Sequence, residues 1–211
     1  MLSTSTRAGT LGDVATVTTR PYHHGNLRAA LLEQAERTLA ERGALSLREL
    51  ARELGVSHAA PRRHFADKQA LLDALTESGF DRLGRELDAA IAGAAADFTA
   101  RLTSLACAYV DFATQRAALL ELMFAAKERP DAAAGVRAAA DRAFAAPLAL
   151  FHEAQAVGEV VPGDPKRVAT VAWACFQGLA AMANGGMLEA GSLDDVVADA
   201  VDRLVHGMRP R

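Results

Sequence analysis

The sequence predicts an all-α protein, in which an N-terminal three-helix domain with a helix-turn-helix precedes a C-terminal helical domain. Two observations support this fold class. Apolar residues recur at i, i+3, i+4 and i+7 along most of the chain, which is the period of amphipathic helices. Aromatic residues make up only 5% of the 211 residues and alanine is abundant, a composition that favours helices over sheets. We find no internal repeat and no strand-like alternation.

A short helix, a tight turn and a second short helix are predicted between Ser46 and Phe65. Ser46 followed by Glu49 fits a capping box at the start of the first helix. Gly55 follows the last periodic residue, where a left-handed backbone ends a helix at little cost. Ser57 is suited to cap the next helix, and this order of signals is typical of a helix-turn-helix. The predicted buried face of the first helix consists of Leu47, Leu50, Ala51 and Leu54.

The second helix, over residues 57–65, combines little apolar content with several basic or polar positions. A helix this short depends on its neighbours for stability, so its outward face is free to present charge. Pro61 removes one backbone hydrogen bond and predicts an irregular first turn. A merely solvated basic face is the alternative interpretation, but the helix-turn-helix pattern before it favours contact with DNA. The outward positions are His58, Arg62, Arg63 and His64.

The distribution of charge also favours a nucleic-acid partner for the amino-terminal part. The whole chain has a formal net charge of −3, which by itself is not typical of a DNA-binding protein. Residues 20–68, however, contain nine Lys/Arg against six Asp/Glu, whereas residues 69–211 contain thirteen against nineteen. A basic head on an acidic body provides the local attraction that phosphate binding requires.

Several motifs occur in the order and at the spacing of a known family. They are Tyr22–Arg28, Leu47–Ala51, Val56–Pro61 and His64–Lys68. Over about residues 20–85 the chain therefore resembles the amino-terminal domain of TetR/AcrR-type repressors. The resemblance implies an all-helical homodimer that binds operator DNA and is released by a small ligand. The chain departs from the family at Arg62, where an aromatic residue, most often tyrosine, is usual and commonly touches a phosphate.

Eight residues are candidates for contact with operator DNA. Arg62 and Arg63 are expected on guanines or phosphates and His58 on a base edge. Ser46 and Lys68 are expected on the DNA backbone. For Lys68 the reason is that Asp67 caps a further helix, whose amino-terminus attracts phosphate. The family pattern also has a phosphate-contacting lysine at the position of Lys68. The full set of candidates is Ser46, Ser57, His58, Ala59, Arg62, Arg63, His64 and Lys68.

The predicted domain organisation has four parts. Residues 1–19, rich in Ser, Thr and Gly, are expected to form a disordered arm. A helix-turn-helix DNA-binding domain follows at 20–70, with Asn26 as the cap of its first helix. A helix at 68–92 links it to a helical ligand-binding and dimerisation domain at 93–211.

The last two helices are predicted to form the homodimer interface. Residues 168–188 carry no charge, yet they are mostly alanine and too weakly apolar for a membrane span, so a helix buried on all sides is expected. Small residues would let a partner helix come close and complete a four-helix interface; plain core packing is the alternative. The region also resembles the subgroup with a Trp-His-Gly signature in its ligand domain, through Trp173 and Gly178, with Gln177 where histidine is usual. One side of this helix is predicted to carry Val171, Cys175, Leu179 and Met182.

A ligand pocket is expected among the helices of the second domain. His152 and Gln177 are the polar candidates, because a polar group on an apolar face needs a hydrogen-bond partner, either a ligand or a backbone carbonyl. For every candidate, plain core packing is the competing interpretation. Since no charged residue stands alone on an apolar face, a neutral or weakly polar, mostly hydrophobic ligand is expected. The candidates are Tyr109, Met123, Phe124, Phe144, Phe151, His152, Trp173, Phe176 and Gln177.

Other functions find less support in the sequence. No Ser-His-Asp grouping, phosphate loop or zinc-protease motif is legible, so we expect neither an enzyme nor a cofactor. The only two cysteines, Cys107 and Cys175, lack metal-ligand spacing and predict free thiols in a reduced, cytoplasmic protein without a metal. No signal peptide or membrane segment is expected. The remaining alternative is a helical-bundle small-molecule-binding protein or enzyme without DNA recognition.

Overall fold

The computed structural model describes residues 27–188 and 193–209. Within these ranges the chain forms nine α-helices and a 3-10 turn, with no β-strand, which confirms the all-α prediction. The predicted arm at 1–19, the Asn26 cap and the motif at Tyr22–Asn26 lie outside the described residues. The helices are α1 (Leu27–Arg42), α2 (Leu47–Glu53), α3 (Lys68–Gly93), α4 (Phe98–Gln115), α5 (Ala117–Glu128), α6 (Ala134–Ala143), α7 (Ala145–Ala156), α8 (Pro165–Asn184) and α9 (Leu193–Met208), and the 3-10 turn spans Pro61–Arg63.

The head of the molecule consists of α1, α2 and the 3-10 turn, packed around a small apolar core. Leu31, Leu50 and Ala51 are fully buried there, and Phe65 closes the core from the far side of the turn. Gly55 ends the first helix of the helix-turn-helix with φ +66°, as predicted. A residue with a Cβ would be strained in this left-handed conformation.

The long helix α3 connects the head to the body. Asp67 caps it, because its carboxylate accepts a hydrogen bond of 2.8 Å from the backbone N–H of Ala70. The helix ends at Gly93. Its 26 residues span about 39 Å. One continuous helix therefore packs against both the head and the body.

A glycine lets α6 approach α3 closely. A Cβ added at Gly84 would lie 3.0 Å from the Cα of Ala143, at the carboxy-terminal end of α6. The contact is with backbone, which cannot move aside as the end of a flexible side chain can. The close packing of α6 on α3 therefore depends on the absence of a side chain at this position.

The body comprises α4–α9 around a core of large aromatic and aliphatic side chains, among them Tyr109, Phe112 and Phe176. The expectation that residues 168–188 form a helix buried on all sides is wrong for the single protomer. Val171 is 56% exposed and Met182 39% exposed. Over residues 171–182, apolar and small residues occupy exposed as well as buried positions of α8, so hydrophobic periodicity could not distinguish its inner face from its outer one. The buried positions are Ala172, Phe176, Leu179 and Ala180.

Candidate DNA-binding surface and ligand cleft

The recognition segment, defined here as residues 57–65, is more irregular than the predicted helix. The backbone N–H of Ala60 donates to the carbonyl of Ser57 at 2.9 Å, and that of His64 donates to the carbonyl of Pro61 at 3.0 Å. These bonds span three residues, so the segment forms turns followed by a 3-10 turn. The physical reason is Pro61, which has no N–H for the bond to Ser57 that an α-helix would require.

The outer side of the recognition segment is exposed and basic. Pro61 and Phe65 face inward and are buried. Lys68, at the start of α3, is also exposed, and Ser46 is half-buried. Among residues 27–188 and 193–209, none covers the outer side of the recognition segment; its exposed side chains are Ser57, His58, Ala59, Arg62, Arg63 and His64.

The recognition segment is braced by α1. The guanidinium of Arg28 lies 5.4 Å from the centroid of the Phe65 ring, within the range of a cation–π contact. Since Phe65 is 3% exposed and packed in the head core, this contact ties the end of the segment to the first turn of α1. A segment too short to hold its own shape is thereby held by its neighbours.

The predicted capping box at the start of α2 does not form. Ser46 has an extended backbone, with φ −141° and ψ 125°, and its hydroxyl makes no capping hydrogen bond. Ser46 lines a shallow groove of about 470 Å³ together with Arg48, Glu49, Arg52 and His58. Arg48 and Arg52 are exposed, and sequence reasoning did not select them. Arg48 and Arg52 are four residues apart and lie between the apolar positions of α2. This spacing could have indicated that both side chains point outward, on one face of the helix beside the recognition segment.

A single carboxylate holds α1 and α2 together. Glu53 accepts hydrogen bonds of 2.8 Å from Arg42, 2.8 Å from Gln34 and 3.3 Å from Thr38. The hydrogen bond from Arg42, supported by those from Gln34 and Thr38, holds the pKa of Glu53 below its usual value. The ionised carboxylate therefore fixes the position of the helix that precedes the recognition segment.

A second carboxylate joins the head to the body. Glu36 on α1 accepts two hydrogen bonds from the Arg82 guanidinium on α3, at 2.8 and 2.9 Å. The Nε atom of Arg116, at the corner between α4 and α5, lies 3.7 Å from the same carboxylate. All three side chains are only partly exposed. Bidentate geometry fixes direction as well as distance, so this contact orients the head relative to α3.

A cleft of about 680 Å³ opens among α5, α6, α7 and α8. Its volume lies within the range of about 300–1,000 Å³ that is usual for small-molecule sites. The aromatic rings form one connected wall: those of Phe144 and Trp173 are 4.7 Å apart between centroids, and those of Phe124 and Trp173 are 6.3 Å apart. Five of the nine sequence candidates line the cleft, namely Phe124, Phe144, Phe151, Trp173 and Phe176.

The structure does not bring the other four candidates to the cleft wall. Met123 is fully buried in the core, while His152 is exposed and Gln177 half-buried outside the lining. Tyr109 is fully buried with its ring centroid 4.3 Å from that of Trp173. The Tyr109 hydroxyl has no hydrogen-bond partner among the described residues, and burial raises the pKa of Tyr109.

The lining of the cleft carries charged side chains as well as aromatic rings. Lys127, Asp141 and Lys166 all line the cleft. The Lys127 ammonium lies 5.7 Å from the centroid of the Phe144 ring, so a cation stands beside the aromatic wall. The sequence did not indicate these residues, because each lies on a different helix, α5, α6 or α8. Only the tertiary fold brings the three charged side chains to one cleft.

Other kinds of site find no support in residues 27–188 and 193–209. These residues contain no group of three or more His, Cys, Asp or Glu side chains placed to hold a metal ion. Cys107 and Cys175 are free and half-buried. None of the helices in the same ranges is long and apolar enough to span a membrane.

The exposed basic helix-turn-helix on a helical body defines a DNA-binding transcription regulator. Residues 31–75 match the family "Bacterial regulatory proteins, tetR family", and residues 102–208 match "Tetracyclin repressor-like, C-terminal domain". The chain belongs to the TetR family, whose members are DNA-binding transcription factors and not enzymes. No curated protein matches the chain in sequence.

Solved structures show the same fold over nearly the whole chain. A protein of unknown function from Rhodococcus sp. RHA1 is 49% identical, with a TM-score of 0.84 over 90% of this chain and 100% of its own. A TetR family transcription regulator from Marinobacter aquaeolei VT8 is 18% identical, with a TM-score of 0.73 over 87% of this chain and 96% of its own. The ketosteroid transcriptional regulator KstR2 of Mycobacterium tuberculosis is 19% identical, with a TM-score of 0.63 over 90% and 98%.

Proposed function

We propose that the protein is an effector-controlled repressor, which binds a palindromic operator as a homodimer and is released when a small molecule occupies the cleft. The observation that best supports this proposal is the recognition segment itself, which is basic, exposed and braced by α1. In this proposal residues 20–70 form the DNA-binding domain, and residues 93–211 form the ligand-binding and dimerisation domain.

In the proposed complex the recognition segment enters the major groove. Arg62 and Arg63 contact guanines or phosphates, and His58 contacts a base edge. Lys68, exposed at the start of α3, contacts a phosphate beside the amino-terminus of that helix. Ser46 and the neighbouring Arg48 follow the DNA backbone from the start of α2.

The proposed dimer forms through α8 and α9. The outer face of α8 is apolar and exposed. It contains Val171, Gly178 and Met182, which recur at helical spacing. A Cβ at Gly178 would meet nothing within 4 Å, so the backbone there is open to a partner helix. An exposed apolar face of this length favours a partner. Two-fold pairing places the two recognition segments on half-sites about 34–36 Å apart.

Release by the effector follows from the way α6 and α3 pack. The cleft is lined in part by α6, and the end of α6 lies against α3 at Gly84. A ligand that binds better when α6 and α3 are displaced shifts the population towards that arrangement. Because α3 is continuous with the head and Arg82 ties it to Glu36, the displacement changes the spacing of the two recognition segments.

An electrophoretic mobility shift on DNA from beside the protein's own gene tests this function. The wild-type protein should shift this DNA specifically, and Arg63→Ala should weaken binding about tenfold or more. Arg137→Ala is the matched control, since it removes the same charge from an exposed position of α6, in the body. Both variants should remain dimers in analytical ultracentrifugation. Absence of a specific shift, or a monomeric wild type, would contradict the proposal.

A further inference from the structure

The cleft combines an aromatic wall with an unbalanced positive charge. Phe144 and Trp173 form the apolar surface, whereas Lys127 and Lys166 contribute two cations against the single carboxylate of Asp141. Within the described residues, neither ammonium group lies within 4.0 Å of a carboxylate oxygen. By contrast, Arg129 and Arg142 in the same body pair with Asp73 and Asp81.

Lysine is rare in this chain, and most of its lysines line the cleft. Of its 23 basic residues only three are lysines, and two of these line the cleft while the third is Lys68 at the start of α3. A lysine ammonium is a compact charge on a flexible stem, and it can follow an anion without a fixed planar geometry. Lys127 lies over the Phe144 ring, where its charge is held next to the apolar wall.

From these observations we propose that the cleft takes an amphipathic anion, a monocarboxylic acid with an apolar tail or ring. The apolar part packs on Phe144 and Trp173, and the carboxylate is bound between Lys127 and Lys166. This inference rests on the proposed function for the identification of the cleft as the effector site. It replaces the neutral ligand expected from the sequence with a charged one.

Trp173 provides a direct readout of binding. It is the only tryptophan in the chain, and it lines the cleft, so its fluorescence reports occupancy in the intact protein without DNA. The probes are decanoate, 1-decanol and decylammonium, which share a ten-carbon chain and differ in the charge of the head group. Decanoate should bind most tightly and decylammonium least tightly.

Substitutions of the charged residues then locate the head group. The double variant Lys127→Met with Lys166→Met should weaken decanoate binding about tenfold and leave 1-decanol binding unchanged. Asp141→Asn should strengthen decanoate binding severalfold, because it removes a like charge. Arg167→Met is the matched control, since it removes an exposed positive charge next to Lys166 outside the lining and should have no effect.

Two results would overturn the inference: equal binding of the three probes, or decanoate binding that the lysine substitutions leave unchanged. The mobility shift distinguishes this failure from failure of the proposed function. Lysine-dependent binding of decanoate to a protein that does not bind upstream DNA supports the ligand class and contradicts the repressor. Specific DNA binding with no preference for decanoate supports the regulator and contradicts the ligand class.

Discussion

Arg82 on α3 donates two hydrogen bonds to the carboxylate of Glu36 on α1, at 2.8 and 2.9 Å, and so joins the head to the helix that enters the body. A partly exposed bidentate pair stabilises more than a single surface ion pair does. We expect Arg82→Met to lower the free energy of unfolding by about 1 kcal/mol. The measurement is urea unfolding of the two single variants and the double variant with Glu36→Gln. A coupling energy near zero in this cycle would contradict the role of the pair.

Because α6 packs closely on α3, replacing two glycines of α3 by alanine should change the stability of the protein in opposite directions. Gly84→Ala would place a Cβ 3.0 Å from the Cα of Ala143, and it should lower stability by about 1 kcal/mol or more. Gly93→Ala, at the end of the same helix, meets nothing within 4 Å and should raise stability by up to about 1 kcal/mol. Thermal unfolding of both variants measures the difference. Equal stabilisation by the two substitutions would show that α6 is not held this closely.

The buried hydroxyl of Tyr109 should reduce stability at high pH. Burial raises the pKa of Tyr109 in the folded protein, whereas in the unfolded chain it keeps its usual value of about 10. Above that pH the unfolded state loses the proton while the folded state retains it, so stability falls by about 1.4 kcal/mol per pH unit. Tyr109→Phe should remove this dependence and leave stability at pH 7 unchanged or raised by up to about 1 kcal/mol. Identical unfolding curves at pH 10 and above for both proteins would contradict the assignment.

The Glu53 carboxylate should make the head sensitive to acid. Its pKa is lowered in the folded state, so its contribution is complete above the usual value of 4.5 and is lost as the pH falls through the folded-state pKa. Glu53→Gln should therefore destabilise the protein at pH 7 and make little difference in the acid range below the folded-state pKa. Thermal unfolding at several pH values measures this. A difference that stays constant with pH would assign the effect to packing rather than to charge.

Local signals in the sequence were sufficient for much of the fold. Asp67 and Gly55 mark a cap and a turn because each acts on its nearest neighbours along the chain, and both are confirmed. Ser46 and Glu49 fit a capping box equally well, yet the Ser46 hydroxyl makes no capping hydrogen bond, and both residues line the groove beside His58. Propensity describes what a residue can do locally, and tertiary packing decides which option is used.

The ligand cleft was predictable only in part, because its aromatic residues follow a local helical spacing whereas its charged residues do not. Aromatic residues at helical spacing indicated an apolar interior, and Phe144 and Trp173 do meet there. Lys127 and Lys166 lie on helices far apart in sequence, so no window of sequence places them together. The inner face of α8 was also not predictable, because apolar residues such as Val171 and Met182 lie on its exposed side.

In the proposed complex, two exposed recognition segments, brought together by dimerisation through α8 and α9, bind one operator. Hydroxyl-radical footprinting of the DNA beside the gene tests it most directly. The account predicts two protected half-sites with centres about 34–36 Å apart, both lost together in the Arg62→Ala, Arg63→Ala variant. A single protected site, or a footprint that survives this double substitution, would contradict it.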